Sequence, residues 1–204
     1  MFRRLTDIFV ACAALVTLSP ALGVVALAVA LDSPGGVFYR SWRVGKGGRR
    51  FRMLKFRTMV RHADRVGPGI TAKHDPRITR VGRFLRASKL DEMPQFWNLF
   101  TGDLTLVGPR AEIPEIVERY TPGQRKILAF KPGITGLGTL HYVDRMEDTF
   151  PENVPALDHY VNHLLDEKLR IDLDYLESRT AAKDARLVLR TVGTIVRAVL
   201  GGRA

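Results

Sequence analysis

A chain of 204 residues is long enough for one domain with a real core, and a composition 46% hydrophobic and 26% charged excludes wholesale disorder. The single cysteine, Cys12, excludes an internal disulfide. His159 and His163 stand at i and i+4 with no third ligand in view, which reads as a solvated helix face rather than a zinc site. The net charge of +11 is unevenly placed. Between Ser33 and Leu90 there are 16 Lys or Arg against only Asp64 and Asp75, while the rest of the chain holds 16 basic and 19 acidic residues. Such a patch suits nucleic acid, an anionic membrane surface or a polyphosphate, and charge alone does not choose among them.

From Ile8 to Leu31 the chain runs 24 residues without a charge, a length that can span a bilayer as a helix. A cleaved signal peptide fits less well, because Asp32-Ser33-Pro34 is a poor cleavage site. Ser19-Pro20 lies at the midpoint, where proline removes an intrahelical hydrogen bond and bends the helix. Each flank is then roughly half a hydrocarbon core in length. Basic residues sit at both ends, Arg3 and Arg4 before and Arg40, Arg43, Lys46, Arg49 and Arg50 after, so both ends favour the cytoplasmic side. A spanning helix and a re-entrant one both satisfy these features.

Two alternating apolar-and-basic runs around Gly45-Lys46-Gly47-Gly48 predict a hairpin, with Lys55 and Arg57 two apart and therefore on one face. Asp75-Pro76 marks an expected helix start. Ile78, Val81, Phe84 and Leu85 form its apolar stripe, and Arg80, Arg83 and Arg86 group elsewhere. A second helix is expected over about Asp91–Phe100, carrying Met93, Phe96, Trp97 and Phe100 at helical spacing. That stripe suits a core or, for Trp97, a bilayer interface. Asp144 to Pro155 reads as an acidic surface loop. The final helix places Arg186, Arg190 and Arg197 opposite Val188, Val192, Ile195, Val196 and Val199, the pattern of a basic amphipathic helix.

The chemistry centres on Asp91-Glu92, adjacent carboxylates after a basic tract. Neighbours on a helix point about 100° apart, so they suit divided roles: one attacks while the other holds a hard cation such as Mg²⁺. Lys55, Arg57, Arg86 and Arg110 are the candidates to neutralise a phosphate. Acidic capping of a helix is the commoner role for such a pair, and Asp91 is expected at the surface.

Four motifs now follow in order: Lys55-Phe56-Arg57-Thr58-Met59; Leu90-Asp91-Glu92-Met93-Pro94-Gln95-Phe96-Trp97-Asn98; Gly102-Asp103 through Gly108-Pro109-Arg110; and Lys131-Pro132-Gly133-Ile134-Thr135-Gly136. Together they resemble the bacterial sugar transferases, the monotopic polyprenol-phosphate phosphoglycosyl transferases, over essentially the whole chain. The resemblance implies an α+β, mainly helical fold with a re-entrant membrane helix over residues 1–32, bent at Ser19-Pro20. A catalytic domain over 33–204 would follow, with a small β-hairpin and amphipathic interfacial helices, at the cytoplasmic face of the bacterial inner membrane. It implies that Asp91 attacks the sugar-side phosphate of a UDP-sugar, releases UMP and passes the phosphosugar to polyprenol (undecaprenyl) phosphate. Glu92, with Asp91, would bind Mg²⁺, and Lys55, Arg57, Arg86, Gln95, Pro109, Arg110 and Lys131 would contact substrate.

The chain departs from the family at Ala111, where proline is usual, and at Gly138-Thr139, where a larger or amide side chain is common. The sugar is therefore the least determined feature. The resemblance is to a minimal catalytic form, partnered by donor, acceptor and bilayer rather than nucleic acid; a homodimer is left open. The rivals are a membrane-tethered nucleic-acid-binding protein, which gives no reason for two acids inside a basic patch, and a Mg²⁺-dependent diphosphate hydrolase.

Overall fold

The structure is a computed structural model that describes residues 2–63, 75–142 and 156–199; the expected loop at Asp144 to Pro155 lies outside them. The chain begins with two helices, α1 (Phe2–Thr17) and α2 (Ser19–Asp32). Among the described residues no single helix is long and apolar enough to cross a bilayer, but α1 and α2 together are, and they meet at a bend of 63°. The local chemistry explains the bend. Pro20 has no N–H for the carbonyl of Val16, and the Ser19 hydroxyl donates to that carbonyl at 2.8 Å instead. Val24, Leu27 and Leu31 of α2 are exposed, whereas Val29 is buried with Phe56 and Leu85.

The hairpin forms as expected, β1 (Phe38–Val44) pairing antiparallel with β2 (Arg50–Phe56) in the register Tyr39↔Lys55 and Arg43↔Phe51. Gly47 and Gly48 take positive φ in the turn, which glycine adopts without Cβ strain. Helix α3 (Arg80–Ala87) starts later than Asp75-Pro76 suggested. Thr79 is its N-cap, accepting from Gly82 N–H, and Asp32 at the end of α2 accepts from Val81 N–H at 3.0 Å. Asp75 instead closes a local turn with Arg77.

The expected second helix divides into a 3₁₀ turn, Leu90–Glu92, and α4 (Gln95–Thr101). Its aromatic stripe is not core: Trp97 and Phe100 are exposed, and the buried positions are Gln95, Asn98 and Leu99. Asn98 accepts from Leu54 N–H at 2.9 Å and donates to Arg52 C=O at 2.8 Å, fastening α4 to the hairpin. A second sheet, of β3 (Thr105–Val107) and β4 (Gly133–Thr135), is parallel and had no counterpart in the sequence reading. It brings two separated motifs together through glycine. A Cβ on Gly108 would lie 2.4 Å from Lys131 C=O, and one on Gly133 would lie 2.1 Å from Gly108 N.

The main core gathers Ile116 and Val117 of α5 (Pro114–Glu118), Ile127, Tyr142 of α6 (Leu137–Tyr142), and Leu165, Leu169 and Leu176 of α8 (Leu165–Glu177). Helix α7 (Ala156–His159) runs into α8 through a π-helical turn, Tyr160–Leu164. At the departure noted above, Gly138 lies against α8. Its N–H donates to Asp172 at 2.8 Å, and a Cβ there would meet Lys168 C=O at 2.7 Å, so a larger residue would require α6 to move off α8. The last helix, α9 (Ala181–Val199), buries Leu187 and bonds Thr191 to Thr135 of β4. Its exposed apolar residues are Leu189, Val192, Val196 and Val199.

Candidate active site

The dyad sits in the 3₁₀ turn between α3 and α4, just after Lys89, which adopts a left-handed φ of 58°. That conformation is uncommon for a side chain with a Cβ and is a form of strain found at functional turns. The acids do not cap α4: Pro94 is its N-cap residue and no side chain caps it. Nor is Asp91 a surface acid, since only 8% of it is exposed. Its carboxylate makes no hydrogen bond or ion pair among the described residues.

Glu92 is treated differently. Its Oε1 accepts from Lys55 Nζ at 2.6 Å and from an Arg110 Nη at 3.3 Å. The hairpin thus meets the Gly108-Pro109-Arg110 loop at one carboxylate oxygen. The environments separate the two acids. Burial pushes the Asp91 carboxyl above its ordinary range, with Lys55 opposing and the adjacent Glu92 charge reinforcing the shift. Burial also opposes ionisation of Glu92, but the charges of Lys55 and Arg110 outweigh it and hold Glu92 well below the usual range. Two carboxyls with diverging pKa values are equipped for two jobs.

Arg86 and Lys89 contribute positive potential at Asp91. The loop is braced from behind. Gly108 N–H donates to Thr135 C=O and Gly133 N–H to Pro109 C=O, both at 2.9 Å. Glu112, two residues beyond Arg110, accepts from Lys168 Nζ and from Tyr160 Oη in a buried cluster. Burial opposes its charge, but Lys168 holds it down at about 2. This bracing ends a stretch in which Ala111 itself is buried among Phe51, Met53 and Leu104.

The remaining sequence candidates divide. Gln95 is buried at the start of α4. Lys131 packs its main chain on Gly108, and its side chain makes no hydrogen bond or ion pair among the described residues. Arg57 does not share a face with Lys55, because β2 ends at Phe56 and strand alternation stops there. Its guanidinium caps the end of α2, donating to Pro34, Ser33 and Val29 carbonyls at 2.7, 2.6 and 3.2 Å. In this structure Arg57 clamps the end of α2 to the chain after β2. Sequence reasoning missed Arg43, whose Nη1 donates to Ala111 C=O at 3.2 Å. Alternation along β1 would have placed it on the face of Tyr39, opposite Lys55 in the register.

Hard-oxygen donors suit a magnesium ion, which takes one or two carboxylates and completes its shell with water and substrate phosphate. The Asp91 oxygens and Glu92 Oε2 accept no hydrogen bond among the described residues, so the donor set fits, although no group of three such ligands occurs there.

The sequence profile of the bacterial sugar transferases matches residues 1–198. The chain belongs to the bacterial sugar transferase family. This sugar transferase is 34% identical over 207 residues to the UDP-glucose:undecaprenyl-phosphate glucose-1-phosphate transferase of Caulobacter vibrioides, covering 95% of this chain and 69% of that one. It is 35% identical over 196 residues to the protein of the same name in Escherichia coli, covering 94% of this chain but 39% of that one. With the exopolysaccharide production protein PSS of Rhizobium leguminosarum bv. phaseoli it shares 33% identity over 199 residues, 94% of each chain.

Proposed function

We propose that this enzyme, a phosphoglycosyl transferase, moves a phosphosugar from a UDP-sugar to polyprenol phosphate and releases UMP. The observation that carries the reading is the contrast within the dyad: a buried Asp91 with no hydrogen bond or ion pair among the described residues, beside a Glu92 already charged and held by two cations. An Asp91 oxygen attacks the sugar-side phosphorus, and the bond from that phosphorus to the UMP oxygen breaks. The resulting acyl phosphate is attacked at the same phosphorus by an oxygen of polyprenol phosphate, which frees Asp91 and yields a lipid-linked diphosphosugar.

A carboxylate of raised basicity is the better nucleophile, and Lys55, Arg86, Lys89 and Arg110 offset the charge of the incoming phosphates. Glu92, with Asp91, would hold Mg²⁺, which neutralises diphosphate charge when bound. Helices α1 and α2 form the re-entrant membrane element, and residues 33–204 lie at the cytoplasmic face of the inner membrane. Exposed Phe9, Val16, Val24, Leu27, Trp97 and the apolar face of α9 support that placement.

The test is a panel of UDP-sugars assayed for UMP in membranes or detergent, with and without polyprenol phosphate. One sugar should give UMP in equal amount to lipid-linked product, stopped by chelator and restored by Mg²⁺. Sustained UMP formation without acceptor would make the protein a hydrolase.

A further inference from the structure

Positive charge around the dyad exceeds what its acids neutralise. Arg43, Lys55, Arg86, Lys89 and Arg110 face three acids, Asp91, Glu92 and, behind the loop, Glu112. Lys55 and Arg110 share Glu92, and Lys168 with Tyr160 occupies Glu112. Arg43 has no acid of its own: it forms no ion pair among the described residues. Its Nη1 donates to Ala111 C=O at 3.2 Å and its Nε reaches Ser41 Oγ at 3.4 Å, while Nη2 makes no hydrogen bond there. It lies close enough to Arg110 for the two guanidinium charges to oppose each other. Glu92 and Glu112 offset part of that repulsion, but of the two guanidiniums Arg43 is the one with no carboxylate bonded to it among the described residues.

We propose that Arg43 is a phosphate-binding residue, its Nη2 edge taking a non-bridging phosphate oxygen alongside Arg110. The assignment rests on the transferase reading above and adds to it a cation that the motif residues do not include. Two hydrogen bonds, to Ala111 and Ser41, aim the side chain and leave the Nη2 protons for a phosphate oxygen. The ligand chemistry is a phosphate ester, which either the donor diphosphate or the acceptor lipid phosphate supplies. The competing role is purely positional, with Arg43 tying β1 to the loop after Arg110 through Ala111 C=O.

The experiment compares the full-length wild-type chain with Arg43→Gln and Arg43→Lys. Affinities for UDP and for uridine are measured by ligand-observed NMR, and KM for polyprenol phosphate is measured by UMP release. A donor contact weakens UDP binding by about 10- to 100-fold in Arg43→Gln, leaves uridine binding unchanged and is partly restored in Arg43→Lys. A rise in the polyprenol phosphate KM with UDP binding intact assigns the same residue to the acceptor phosphate. Equal weakening of UDP and uridine shows a positional role and overturns the proposal, as does no change in any of the three. Wild-type protein that binds UDP no tighter than uridine defeats the donor reading itself, a failure visible before any variant is made.

Discussion

The carboxylate of Asp7, on the second turn of α1, accepts from Leu106 N–H and from Thr105 Oγ1, each at 2.9 Å, across 99 and 98 residues of sequence. One turn earlier, Arg4 donates to the Leu99 and Phe100 carbonyls at 2.7 and 2.6 Å. The start of α1 is therefore bound into the catalytic domain. Asp7 is buried beside β3, the strand that leads directly into Gly108-Pro109-Arg110.

Removing that carboxylate leaves a strand N–H without its partner. Asp7→Ala should destabilise the protein by about 3–6 kcal/mol, the range for losing two charge-assisted hydrogen bonds. Asp7→Asn, which keeps one acceptor oxygen, should cost about half as much. Thermal unfolding in detergent reads both. A variant as stable as the wild type would show that the α1 clasp contributes nothing.

The same clasp bears on topology. In a Cys12→Ser background, cysteines at Arg3 and at Arg49, in the hairpin turn, should both be labelled only from the cytoplasmic side. Pro20→Leu removes the bend and alone competes with Arg4 and Asp7. Combined with Asp7→Ala it should move the Arg3 site toward the periplasm. Periplasmic labelling of the Arg3 site with Pro20 and Asp7 both intact would establish a spanning helix.

The acidic limb of the pH–rate profile reports the dyad. The proposed attack requires Asp91 ionised, and burial raises its pKa, so activity should rise with pH through a midpoint above the ordinary aspartate value of about 4. Lys55 opposes that shift, so Lys55→Met should move the midpoint further up. A limb that stays fixed in Lys55→Met, or lies at or below the ordinary value, would contradict this electrostatic picture.

How much of this was readable beforehand varies with the range of the interactions. The bent helix pair, the hairpin and the dyad carry local signatures: a proline in an apolar run, alternation about glycines, adjacent acids in a basic tract. The face expected to be shared by Lys55 and Arg57 depended on alternation reaching one residue past the end of β2, where the chain instead grips α2. The β3–β4 pair is invisible locally, since three-residue parallel strands have no periodicity and depend on contact between distant glycines. Trp97 and Phe100 had helical spacing, but spacing says which side chains share a face and not whether protein or solvent covers it. The burial of Asp91 likewise follows from the packing of its turn between β2 and α3, which no run of residues around it encodes.

The most direct test of mechanism uses that burial. The proton that Asp91 holds more tightly when folded stabilises the protein below the ordinary carboxylate pKa, and this contribution is lost as pH rises through the raised value. At neutral pH the ionised side chain is therefore a cost to folding. Asp91→Asn removes the charge and keeps the shape, so it should be at least as thermally stable as the wild type while losing both UMP release and transfer. Wild-type enzyme given sugar-labelled donor without acceptor should retain label through denaturation, release it to hydroxylamine as an acyl phosphate does, and produce a burst of UMP. The Asn variant should do none of these. If lipid phosphate instead attacks the donor directly, with Asp91 as a base, no label is trapped and UMP appears only after acceptor is added. That result would keep the enzyme class and remove the covalent step.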